Sequence, residues 1–200
     1  FGLLPGRAEK YGTDFAILTG DVQQAWASDV LLRSTDRGVS PETALAMARR
    51  MQSFLNRELI SGEALDVEFE YRKVLPPKAE VIDMIRGKTG ALLAFSAECG
   101  AMTGLDTPDW TANPVAALSE FASELGYAFQ LCDDLLGVYG DEAKFGKPLC
   151  SDFREGKPTV LYLEALERLT ESGRAELAAL MKRPAYAEAD IAKIRSLLEE

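Results

Sequence analysis

From Thr13 to Leu32 the apolar residues Phe15, Ile17, Leu18, Val22, Ala25, Trp26 and Val30 return at spacings of three and four, the period of a helix with one apolar stripe. A second stretch begins at Ser40-Pro41-Glu42, with Ser placed to cap, Pro at the first helical position and an acid in the first turn. Leu45, Met47, Ala48, Met51, Phe54, Leu55, Leu59 and Ile60 carry that helix past Gly62, and Pro76-Pro77 then breaks the pattern. A third helix is predicted from about Lys78 to Met102 on Val81, Ile82, Ile85, Leu92, Leu93, Phe95 and Ala97. Asn113-Pro114 repeats the cap-and-proline signal and opens a fourth that reaches about Tyr139. Gly140 to Lys157, with Gly140, Gly146, Pro148 and Gly156, reads as a loop, while Pro158 to Leu169 and Asp190 to Leu198 resume as helices. No stretch alternates convincingly at period two, and no repeat or low-complexity segment is present. The fold class is all-α, a large antiparallel helical bundle forming a single domain over residues 1–200.

Composition narrows the chemistry. A chain of 200 residues, 47% hydrophobic and 27% charged, can bury a core without disulfides or a metal and is not disordered. Its 22 basic against 32 acidic residues leave a net charge of -10, which opposes general binding to nucleic acid or anionic membranes. Histidine is absent, which removes Ser-His-Asp and Cys-His nucleophile systems and His-ligated zinc or iron. Cys99, Cys132 and Cys150 are odd in number and scattered, so they read as small core or loop residues in a reducing cytoplasm rather than a disulfide framework. No apolar run reaches the ~18–20 residues of a membrane span.

Against that background one constellation stands out, Phe129-Gln130-Leu131-Cys132-Asp133-Asp134-Leu135-Leu136-Gly137. Gln130, Asp133 and Asp134 share a face of the fourth helix, and Gly126 and Gly137 are expected to leave space over it. Two adjacent carboxylates near a helix C-terminus repel each other and the negative end of the dipole, so a cation should offset them. Mg²⁺, which takes carboxylate oxygens and retains water, suits the position. An exposed acidic corner at the helix end fits the pair as well. The segment that follows is cationic, with Lys144, Lys147, Arg154 and Lys157 beside Asp141 and Asp152, and can fold back over the helix end. Lysines beside metal-holding carboxylates are what a diphosphate needs. A further lysine stands in Arg86-Gly87-Lys88-Thr89-Gly90, where two glycines weaken the helix by roughly 1 kcal/mol each. They fit a bend, a ligand close to the backbone, or a solvated segment.

These motifs, in this order, resemble the trans-isoprenyl diphosphate synthases, or polyprenyl synthetases, from about Tyr11 to Leu166. Gly20-Asp21 is similar to the segment after that family's first aspartate-rich motif, and Gly62-Glu63-Ala64-Leu65-Asp66 to its Gly-Gln-x-x-Asp segment, with Glu63 in place of Gln. Lys88-Thr89 resembles its Lys-Thr pair, Gln130 through Asp134 its second aspartate-rich motif, and Gly146-Lys147-Pro148 with Ser151 to Thr159 its basic loop. The resemblance implies an isoprenoid-synthase bundle and Mg²⁺ on Asp133 and Asp134. It implies diphosphate and substrate contacts from Lys88, Thr89, Gln130, Lys147 and Lys157, with Asp133, Asp134, Lys88 and Lys147 serving catalysis. In the implied reaction an allylic diphosphate ionises, the double bond of isopentenyl diphosphate attacks the cation, and proton loss completes a longer trans-polyprenyl diphosphate. A geranylgeranyl-type bacterial enzyme, a homodimer, and no nucleic-acid partner are implied as well.

Two departures accompany the resemblance. Gly137 stands where many members carry a final Asp, and nothing from Phe1 to Thr19 matches the first aspartate-rich motif or its arginine pair. The expectation is that these residues form the C-terminal two-thirds of a synthase whose N-terminal helices are missing. A non-catalytic or regulatory subunit of such a synthase, a class I terpene cyclase and a purely structural helical protein are the competing readings.

Overall fold

In the computed structural model, which describes residues 7–146 and 148–200, the chain is helical and the described residues contain no strand. α1 (Arg7–Leu32) ends in a 3₁₀ turn (Arg33–Arg37). α2 (Pro41–Arg50) and α3 (Asn56–Tyr71) run on through a π-helical turn (Met51–Leu55), and α4 (Lys78–Ile85) and α5 (Ala91–Leu105) through another (Arg86–Gly90). α6 (Asn113–Tyr139) follows, and then the shorter α7 (Glu142–Phe145), α8 (Ser151–Glu155), α9 (Val160–Arg168), α10 (Glu171–Leu180) and α11 (Glu188–Leu198). None of these helices is long and apolar enough to cross a membrane.

The period-based expectations hold for the long helices. Ser40 caps α2 through its hydroxyl, which accepts the Thr43 N–H at 3.3 Å. Asn113 does not cap α6: Ala112 holds that position without a side-chain bond, and Pro114 sits in the first turn. Proline is tolerated there because first-turn N–H groups have no intrahelical partner anyway. The segment read as one loop contains α7 and α8, and α10, capped by Thr170 accepting from the Gly173 N–H, lies where no helix was expected. α9 starts at Val160 with Thr159 as cap, two residues later than the sequence suggests.

The two composite helices, α2–α3 and α4–α5, run antiparallel along their whole length. At one end Asp106 Oδ1 accepts the Ser40 N–H at 2.9 Å, and at the other Arg72 bridges Glu68 and Glu80. Midway, Glu98 is 1% exposed and accepts from Arg50 Nε and Nη2 at 2.8 and 2.9 Å and from the Ser119 hydroxyl at 2.7 Å. A buried carboxylate is tolerated only when its lone pairs are met in this way. Three helices, α2, α5 and α6, are thereby bolted together. The largest apolar core lies toward the other end, where Phe69, Val81, Ile85 and Val138 meet Phe153, Tyr162, Leu177 and Ile194 of the C-terminal helices. There α11 reaches back: Arg195 Nε and Nη2 donate to the Val138 carbonyl at 2.9 and 2.7 Å.

Glycine sets the spacing between the long helices. A Cβ on Gly62 would strike the backbone of Gly87 and Lys88, one on Gly87 would lie 2.8 Å from the Glu58 carbonyl, and one on Gly126 would lie 2.7 Å from Gly90 Cα. The glycines of Arg86–Gly90 therefore serve helix crossings within a π turn. Gly126 likewise does not open space over the acidic face as expected, since Gly90 fills it. Gly137 is buried too, with Asp152 Oδ2 3.4 Å from where its Cβ would be. Phe95 is core, whereas Phe121 and Phe129 are 65% and 63% exposed, and the apolar stripe of α1, including Ile17, Trp26 and Val30, faces outward. Of the cysteines, Cys150 is buried, Cys99 half-buried and Cys132 exposed. Burial raises the Cys99 thiol to about 12 and the Cys150 thiol to about 11.

Gly126→Ala should lower unfolding stability by about 1–3 kcal/mol, because overpacking outweighs the better helix propensity of Ala. Gly100 on α5 has open space where a Cβ would stand, with nothing within 4 Å, so Gly100→Ala should be neutral or stabilise by up to about 1 kcal/mol. Urea denaturation of both variants checks this; equal responses would refute the crossing.

Candidate functional site

A cleft of about 240 Å³ opens between α3, the Arg86–Gly90 turn, α6 and the segment around α8. The Gly62–Gly87 crossing brings α3 close enough for Asp66 to reach Lys88, whose Nζ donates to Asp66 Oδ2 at 2.5 Å and lies 3.2 Å from Glu63 Oε2. Next in the chain, the Thr89 hydroxyl donates to Gln130 Oε1 at 3.1 Å, and Gln130 Nε2 donates to Asp134 Oδ1 at 3.0 Å. This relay ties the π turn to the aspartate pair. Asp133 lines the cleft beside Asp134, and Asp152 and Lys157 close it from α8 and the segment after it.

Local backbone geometry explains how the far side is positioned. Gly146 and Cys150 take positive φ values of 72° and 56°, turning the chain back toward α6. The Cys150 N–H then donates to the Gly137 carbonyl at 2.8 Å, which fixes the start of α8 on the last turns of α6. Lys157 N–H donates to the Asp152 carbonyl at 2.9 Å, holding both residues at the cleft.

Of the residues expected at a site, Lys88, Thr89, Gln130, Asp133, Asp134 and Lys157 all line this cleft. Lys147 lies outside the described residues. The other basic residues of the segment do not fold over the helix end: Lys144 is 87% exposed beside Asp141, and Arg154 is exposed on α8. The short helices turn those side chains outward. Asp66 and Asp152 were not assigned a role from sequence, although both fall within segments matched by the resemblance. Asp66 stands one helical turn beyond Gly62, so its approach to Lys88 follows from the crossing rather than from any local pattern.

The electrostatics are unbalanced. Asp134 is 6% exposed, and burial pushes its carboxyl up to about 6; the Gln130 hydrogen bond opposes the rise, while Asp152 and then Asp133 add to it and Lys157 subtracts. For Lys88, burial favours the neutral amine, but the bonds to Asp66 and Glu63 prevail and the net shift is upward. Burial also works against the Lys157 ammonium, and Glu155, Asp66 and Asp152 outweigh it. The cleft thus gathers the carboxylates of Asp66, Asp133, Asp134 and Asp152 with the ammonium groups of Lys88 and Lys157. No three carboxylates among the described residues converge on one point. A Mg²⁺ ion fits such a cleft, since it binds through one or two carboxylates and completes its shell with water and phosphate oxygens.

The polyprenyl synthetase family model matches residues 5–198. The short chain isoprenyl diphosphate synthase of Methanocaldococcus jannaschii is 38% identical over 167 residues, covering 84% of this chain and 48% of the relative. Among solved structures, the geranylgeranyl pyrophosphate synthetase of Pyrococcus horikoshii superposes with a TM-score of 0.81 at 31% identity, over 96% of this chain and 55% of that one. The geranylgeranyl pyrophosphate synthase of Corynebacterium glutamicum, solved with isoprenyl diphosphate and magnesium, gives 0.75 at 30% identity, over 98% and 53%. The chain spans about half the length of the curated relatives it matches.

The raised carboxyl has a thermodynamic signature. Asp134 binds its proton more tightly folded than unfolded, so its contribution to stability falls as pH rises from about 4 to about 6 and levels off above. Without metal, Asp134→Asn should gain on the native sequence across that window, by on the order of 2–3 kcal/mol between its ends. Denaturant titrations in chelator at pH 4 and 7 measure the difference; a gap that does not change with pH would contradict the burial of this charge.

Proposed function

Because this chain belongs to the polyprenyl synthetase family, we propose that its cleft receives an allylic diphosphate and that the protein is a trans-prenyltransferase that lengthens it with isopentenyl diphosphate. The observation that carries this reading is the gathering, in one cleft, of Asp133 and Asp134 with the ammonium groups of Lys88 and Lys157. The carboxylates suit a divalent cation, and the lysines suit the oxygens of a diphosphate that the cation shares.

In this reading Asp133 and Asp134 hold Mg²⁺. When bound, the ion would supply positive charge to the departing diphosphate. The residues of the chain do the rest. Lys88 is held at the cleft by Asp66, so that its ammonium meets phosphate oxygens without first being ordered. Lys157 also lines the cleft, with Asp152, and Lys147 is assigned the same role from the sequence. Gln130 positions Asp134 through its amide and is itself held by Thr89, which sets the orientation of the aspartate pair. No histidine or nucleophile is needed, because charge stabilisation at the leaving group is the main demand.

The proposal extends to the assembly. A homodimer, the assembly that the family resemblance implies, is part of the same reading. A single domain and a cytoplasmic setting belong to the same reading.

Incubation with Mg²⁺, labelled isopentenyl diphosphate and geranyl or farnesyl diphosphate should give a longer, acid-labile prenyl diphosphate. Asp133→Ala should cut turnover by about 10²–10³-fold while the melting temperature stays close to that of the native protein. Near-native turnover in that variant would overturn the assignment. Product formed only when a second, catalytic chain is added would instead make this polypeptide a subunit of such an enzyme.

A further inference from the structure

Lys88 has two carboxylate partners rather than one. Glu63 and Asp66 lie three residues apart on α3, hence on one face, and both reach the same Nζ. The partners are not equivalent. The Asp66 side chain is 11% exposed and its bond is the shorter, so separating it from Lys88 would strand a buried carboxylate. The Glu63 side chain is 56% exposed at 3.2 Å, and water can replace the ammonium there at little cost. An ammonium has three donors, and a phosphate oxygen approaching Lys88 competes first with the partner that is easiest to displace.

We propose that Glu63 is an exchangeable counter-ion of Lys88 that weakens diphosphate binding and so acts as an affinity-determining residue, while Asp66 is the permanent anchor. Glu63 forms an ion pair with the ammonium at 3.2 Å, so its negative charge stands close to where the diphosphate arrives. Diphosphate binding is therefore kept submaximal, which favours release. The inference rests on the reading of this cleft as a diphosphate site.

The test is calorimetric titration of the native protein, Glu63→Gln, Lys88→Gln and the double variant with inorganic diphosphate in Mg²⁺ at low salt. Glu63→Gln keeps the shape and removes the charge, and should tighten binding about three- to tenfold, the effect of one charge a few ångströms away in a wet site. Glu63→Ala should do the same, which separates charge from any new amide contact. In the Lys88→Gln background the gain should largely vanish, and in turnover the Glu63 variants should lower KM for the allylic diphosphate without raising kcat. Unchanged or weaker binding in both Glu63 variants, while the native protein binds, overturns this inference alone; weaker binding would mark Glu63 as a metal ligand. An equal gain with and without Lys88 also overturns it, since that is general repulsion. If the native protein binds no Mg²⁺–diphosphate at all, the functional reading fails and this inference with it.

Discussion

Backbone against backbone, Gly62 on Gly87 and Gly90 on Gly126, is the contact from which the rest of the arrangement follows. Helices normally stand 8–10 Å apart because side chains intervene, and removing those side chains lets the axes close in. The closeness allows Asp66 to reach Lys88 and Thr89 to reach Gln130. Placing both glycines of one crossing strand inside a π turn has a further effect. Lys88 and Thr89, inside the widened turn, face the cleft, while Ala91 just after it stays in the core. Farther along the same helices, the buried Glu98 bolt holds α2, α5 and α6 in register. The long helices are thus pinned at two levels, one made of glycine and one of charge.

The cleft is held in an electrostatically costly state. It includes a carboxylate, Asp134, that burial lifts to about 6, while Lys88 is paired with Asp66 and Lys157 with Glu155. Such a site is not an anion trap in itself. In the proposed reading, cations joining Asp133 and Asp134 would turn repulsion between carboxylates into attraction for phosphate. A net charge of -10 on the whole chain is consistent with that logic, because selectivity resides in a local pattern and not in the overall field.

Much of this was legible in the amino-acid order. Period-three-and-four stripes set the long helices, Ser40 announces a start, and the family resemblance assigns residues as far apart as Lys88, Gln130 and Lys157 to one site. What escaped depended on distance in space. Whether the room over Gly126 holds a ligand or another glycine is decided by Gly90, 36 positions away, and no local pattern reports that pairing. The outward turn of Lys144 and Arg154 depends on α7 and α8, helices of 4 and 5 residues that are too short to show a period. Phe95 and Phe129 look alike in sequence, yet one is core and the other exposed, because the face each occupies is chosen by partners from other helices.

The grip of Arg195 on the Val138 carbonyl makes α11 a structural neighbour of the aspartate pair. Four residues separate Val138 from Asp134, barely more than one turn of the same helix, so whatever loosens α11 frays the helix end on which the aspartate pair is mounted. For anyone handling this protein, α11 is the sensitive element. A substitution or label that unseats α11 pulls on the site, whereas a surface loop such as the one around Asp109 stands at the far end of α6 and is the gentler place to attach a label.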